Sequence, residues 1–131
     1  MTKKRVVITG YGTVNPCGHT IEEYWQSLVN GQSGIKLIDT FDTTDFQTKF
    51  AGIVQDFNPE DVMDKKEMRR ASRFIKLGFP AAIEAIKHSG LNIPDYATDV
   101  GVEIGSGIGG IDILEKMAIT LHEKGPSRVS P

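Results

Sequence analysis

A layered α/β fold is predicted by three features of the sequence. These are a β-branched run closed by glycines near the start, two stretches with apolar residues at helical spacing, and an alternating apolar stretch leading through glycines into a further helix. The first run, Val6, Val7 and Ile8 within residues 5–9, ends at Gly10 and Gly12 and reads as a strand buried on both faces of a parallel sheet. Thr20 then caps a helix. Glu23 at its third position completes a capping-box pattern, Tyr24, Trp25, Leu28 and Val29 supply its apolar face, and Gly31 stops it.

Residues 31–64, rich in Gly, Asp, Thr and Asn, predict an ordered excursion with little regular structure beyond a short strand within residues 50–54. Residues 65–89 predict the longest helix, because Met68, Ala71, Ile75, Phe79, Ala82, Ile83 and Ile86 recur at threes and fours. Pro80 should kink or interrupt it near the middle, and Gly90 should end it. Val100, Val102 and Ile104 alternate as a second strand, the glycine run at residues 105–110 follows, and a last helix is expected over Ile111 to Lys124. Two clear strands against three helices make a thin sheet with exposed apolar edges, so the chain reads as a piece of a larger unit.

At 131 residues, with 39% hydrophobic and 24% charged residues, the chain has a globular composition and should contain one core. A net charge of −2 offers no overall attraction to nucleic acid or to an anionic membrane, so charge can act only through local clusters. The three-residue apolar run after the basic start is too short for a signal core or a membrane span. The single Cys17 suits a reducing compartment, which makes the cytoplasm the expected location.

Gly105, Gly107 and Gly110 satisfy G-x-G-x-x-G between a predicted strand and a predicted helix, which locally describes a dinucleotide-binding turn. The acidic residue that should follow about 20 positions later is missing, because Lys124, Gly125, Pro126, Ser127 and Arg128 stand there. A tight turn packed in a core is the favoured local reading, and a nucleotide-binding module is the alternative. Cys17 and His19 are two apart, a spacing that seldom lets a base activate a thiolate, so Cys17 reads as a small buried apolar residue. His19, His88 and His122 lack metal-ligand spacing, and Asp39, Asp42 and Asp45 lack the central glycine of a calcium loop, so no metal is expected. The aspartates read as turn formers. Lys66, Arg69, Arg70 and Arg73 gather near a helix start, a local basic patch in an acidic chain and a candidate surface for an anionic partner.

Three stretches resemble one family when taken in order. They are Lys4-Arg5-Val6-Val7-Ile8-Thr9-Gly10 with Gly12; Gly31-Gln32-Ser33-Gly34-Ile35; and Ile104-Gly105-Ser106-Gly107-Ile108-Gly109-Gly110, followed by Gly125-Pro126-Ser127-Arg128-Val129-Ser130-Pro131. With Phe50-Ala51-Gly52 and Lys65-Lys66-Glu67, they resemble the β-ketoacyl-acyl-carrier-protein synthases of the elongating, bacterial kind. The resemblance implies a thiolase-like fold of two α/β halves in a five-layer sandwich, normally a homodimer, of which residues 1–131 supply an incomplete first half.

The resemblance also implies a decarboxylating condensation of acyl and malonyl thioesters carried by acyl-carrier protein, with no cofactor. The cysteine nucleophile and two histidines of that reaction are expected beyond Pro131, so no catalytic residue is expected within this chain, and the chain alone should be inert. Ile108 matches a position lining the acyl-chain pocket. Lys66, Arg69 and Arg70 match a patch that meets the acidic carrier protein, and Arg128, with Lys124 near it, matches a second patch weakened by Ser127. A rival within the resemblance is an inactive chain-length partner of a polyketide system.

Overall fold

Helix α1 spans Ile21–Val29, and its start and stop follow from local side chains. The Thr20 hydroxyl accepts from the Glu23 amide at 3.2 Å, whereas the Glu23 carboxylate accepts from the His19 amide at 2.7 Å, one residue before the cap. At the other end the Gly31 amide reaches the Leu28 carbonyl and the Gln32 amide reaches that of Ser27, at 3.1 and 2.8 Å, which closes a Schellman turn. The coordinates come from a computed structural model and describe residues 3–129.

The excursion after α1 is more regular than its composition implied. Strand β1, Ile35–Leu37, pairs antiparallel with β2, Phe50–Gly52, in the register Ile35 to Gly52, Lys36 to Ala51 and Leu37 to Phe50. The expected strand at residues 50–54 is therefore present but shorter, and its partner comes from within the stretch read as irregular. Between the strands Asp42 forms a turn as expected, its Oδ1 accepting from the Thr44 amide at 2.9 Å and the Thr44 hydroxyl at 2.6 Å.

The long helix expected over residues 65–89 is two helices. Helix α2, Lys65–Arg70, is separated from α3, Arg73–Ser89, by Ala71 and Ser72, both extended, with ψ of 133° and 167°. Pro80 is not the break. It lies inside α3, where it lacks the amide that would have bonded to the Lys76 carbonyl four residues earlier. The break falls at Ser72, which is only 3% exposed and faces Gly110 across the turn that opens helix α4, Ile111–Lys124. Gly90, at φ 66°, ends α3 as expected, and α4 has the expected bounds.

One face of α3 holds the segment that precedes α1. A Cβ at Gly10 would collide with the Ala85 carbonyl and one at Gly12 with that of Ala81, so both glycines permit backbone to lie directly on the helix. Acceptors on α3 take up the amides of this segment. Glu84 accepts from Thr13 and from Ile21, each at 2.9 Å, and His88 Nδ1 accepts from Tyr11 at 3.2 Å.

The two strands expected at residues 5–9 and 100–104 are not paired. Val6 is 94% exposed and Val102 85%, where the sequence pattern called for burial in a parallel sheet. A strand is stabilised by a neighbour that satisfies its amides and carbonyls, and β1 and β2 are the only paired strands among the described residues. The single core expected for this length does not form among the described residues. Met63, at 6% exposure, is the one buried large apolar side chain among the described residues. The accessible surface is 10990 Å², against about 6,800 Å² for a compact monomer of 14.4 kDa. What the structure shows is mixed helix and sheet, with apolar faces left uncovered.

Candidate partner-docking surface

The basic residues near position 66 are set by the way α2 begins. Asp64 caps the helix, its Oδ1 accepting from the Lys66 and Glu67 amides at 2.8 and 2.7 Å, while the Glu67 carboxylate returns to the Asp64 amide at 3.4 Å. Cations in a first turn are opposed by the helix dipole, and this reciprocal pair of carboxylates offsets the opposition. Arg69 and Arg70 sit in the last turn of α2, where the dipole favours them.

Positions three and four apart share a face of a helix. Lys65, Met68 and Arg69 accordingly line a groove of about 530 Å³ with Phe57, Pro59, Arg73 and Lys76, while Lys66 and Arg70 are not among its lining residues. Arg73 is anchored there, its Nη2 donating to the Val54 carbonyl at 2.6 Å. Lys76 was not singled out in the sequence. Its spacing of seven from Arg69 and three from Arg73 is the signal that could have found it.

The other expected positions lie elsewhere. Lys124 is in the last turn of α4, and Arg128 is in a short 3-10 turn, Pro126–Arg128, that follows Gly125. Ile108 is 71% exposed in the glycine turn before α4 and lines neither this groove nor the second cavity. Within that turn Gly109 lies against the Phe74 ring, and Asp112 Oδ2 accepts from the Arg73 amide at 3.3 Å, so the turn is docked on the junction of α2 and α3. Ser130 and Pro131, the end of the last resembling stretch, lie outside the described residues.

The second cavity, about 390 Å³, is bordered by Cys17, His19, Glu23 and Lys36. Cys17 is half-buried, not buried as its reading as a small apolar residue implied, because the Asn15 to Gly18 turn carries it to the cavity edge. The His19 ring packs edge-on against Phe57 with centroids 5.1 Å apart. Among the described residues no group of three or more His, Cys, Asp or Glu is arranged to hold a metal ion, and no helix is long and apolar enough to cross a membrane.

Over residues 3–131 the sequence matches the family described as beta-ketoacyl synthase, N-terminal domain. The chain belongs to the β-ketoacyl synthase family. It is 50% identical to 3-oxoacyl-[acyl-carrier-protein] synthase 2 of Vibrio harveyi and 48% identical to that of Vibrio cholerae, over 100% of this chain and 32% of each relative. The corresponding synthase of Staphylococcus aureus N315 is 45% identical over 98% of the chain and 31% of its own length. A solved structure, the ishigamide ketosynthase/chain length factor, superposes with a TM-score of 0.75 at 28% identity, covering 99% of this chain and 33% of that one. The chain thus spans about a third of the length of the curated relatives it matches.

Proposed function

We propose that these residues form part of the N-terminal domain of an elongating β-ketoacyl-acyl-carrier-protein synthase. The observation that carries this reading is the identity of 50% and 48% to two synthases of that kind along the whole chain. The 28% identity to a ketosynthase/chain length factor gives the polyketide reading less support. The reaction joins an acyl group, held on a cysteine, to the carbanion released as a malonyl thioester loses carbon dioxide. It yields a 3-oxoacyl thioester two carbons longer, and the decarboxylation itself supplies the nucleophile, so no resident cofactor is called for.

In this reading the nucleophilic cysteine and the two histidines come from outside the 131 residues. Cys17, in the turn after Asn15 and Pro16, matches neither role. Lys66, Arg69 and Arg70 receive acyl-carrier protein, with Lys124 and Arg128 as a second patch, and Ile108 limits acyl length once the pocket wall is complete. The enzyme is a cytoplasmic homodimer. The glycine turn needs no nucleotide in this account, being packed on Phe74 and Ser72, with Lys124 to Arg128 standing where the acidic residue of a dinucleotide site would follow.

The test is product analysis by mass spectrometry. The complete protein, given acyl- and malonyl-carrier protein, should release a 3-oxoacyl thioester two carbons longer together with carbon dioxide. Absence of that product, or micromolar binding of NAD or FAD by calorimetry, would overturn the reading.

A further inference from the structure

The cations of α2 face two ways. Lys66 and Arg70 lie outside the groove, whereas Lys65 and Arg69 border it with Lys76 of α3. Apolar side chains form part of its floor. Phe57 and Met68 are half-buried there and Pro59 is buried. Glu60 is the one carboxylate among the lining residues, against four cations, in a chain whose net charge is −2. Arg73 is tied to the Val54 carbonyl and forms a fixed wall, and the Asp64 cap holds α2 in place beneath Lys65 and Arg69.

A face that merely solvates charge has no use for an apolar floor, and a phosphate-bearing ligand would leave that floor wet. A protein surface that presents an apolar side chain between carboxylates satisfies both parts of the groove, since interfaces gain most from an anchor buried at their centre with charges around it. We infer that this groove receives an apolar side chain from an acidic helix of the partner, with Lys65, Arg69 and Lys76 engaging carboxylates on either side. The inference rests on the carrier-protein reading and adds an anchor and one further cation, Lys76, to a docking surface otherwise defined by charge.

The experiment compares variants of the complete synthase by the ratio of kcat/KM for an acyl-carrier-protein substrate to that for the same acyl group on a small thioester. Met68→Ser and, separately, Lys76→Glu should lower that ratio roughly five- to thirtyfold. Only Lys76→Glu should also flatten its dependence on salt. Lys65→Glu, at an exposed position, should repeat the effect of Lys76→Glu without touching the floor. The pair Lys66→Glu and Arg70→Glu, outside the groove, reports on the carrier-protein reading alone. A lowered ratio for that pair with an unchanged ratio for Met68→Ser and Lys76→Glu would sink the groove and spare the reading. An unchanged ratio for every variant would sink both. Equal loss on both substrates in Met68→Ser would make Met68 a packing residue and overturn the anchor.

Discussion

Ile108 is the one large side chain between Gly105 and Gly110, and in this structure it stands 71% exposed. An apolar residue in that setting is poised to pack on whatever completes the wall beside it. On the proposal that Ile108 lines the acyl pocket of a complete synthase, Ile108→Phe adds bulk there, and overpacking costs about 1 to 3 kcal/mol. If the cost falls on the bound acyl chain, substrates of twelve or fourteen carbons should lose roughly 5- to 150-fold in kcat/KM while short ones change little. A uniform loss at all lengths, with a lowered Tm, would make Ile108 a core residue.

Asp42 offers a second test. The Thr44 hydroxyl, and then the Thr44 amide, hold its carboxyl below the ordinary value of 3.8. Because the folded form is the more acidic, the turn's contribution is present above 3.8 and is lost as the pH falls through the depressed value. A carboxyl-detected NMR titration should place Asp42 below 3.8, and Thr44→Val should move it back up. No movement would show that the hydroxyl is not the cause. At this scale, residues whose roles are local were legible, as with Thr20, Gly31 and Asp42. Glu84 and Ser72 were not, because the groups they meet lie on other elements, and Lys76 was passed over although its spacing from Arg69 and Arg73 marked it.

Among the elements, the Asp64 cap decides where the cations of α2 stand. Removing it by Asp64→Ala should cost about 0.5 to 2 kcal/mol, read as a loss of stability in denaturant and, on the proposed function, as weaker carrier-protein binding by the complete protein. Unchanged stability would mean that packing of Met68, not the cap, holds the helix. Glu84 ties α3 to α1 and to the segment before it by accepting the amides of Ile21 and Thr13. Glu84→Ala leaves two donors without a protein partner, at about 1 to 3 kcal/mol for each that water fails to reach. Glu84→Gln keeps one carboxamide oxygen and should cost less, and equal losses would assign the effect to packing.

Helices were read well where caps and glycines mark their ends, so α1 and α4 matched. The break at Ser72 escaped because the periodicity of Met68, Ala71 and Ile75 runs straight across it. Pro80 drew the break to itself because a proline is the strongest local signal, yet a helix that gives up one hydrogen bond continues past it. Strand β1 and its pairing with the expected β2 were missed because a three-residue strand sets no period.

On the scale of the whole molecule, β-branched runs that should pair stand open, and the surface exceeds that expected of a compact monomer. The alternation of Val100, Val102 and Ile104 reads as a strand in the sequence, but neither it nor the run at residues 5–9 is paired among the described residues. The 131-residue chain should therefore melt without a sharp cooperative transition, which calorimetry would reveal, and should form no condensation product. The central claim, that these residues are one part of a longer synthase, is tested most directly by amide hydrogen exchange at Val6, Val7, Ile8 and Val102. Exchange there should be fast in the 131-residue chain and strongly protected in the complete protein. Equal exchange in both, whether fast or slow, would contradict it.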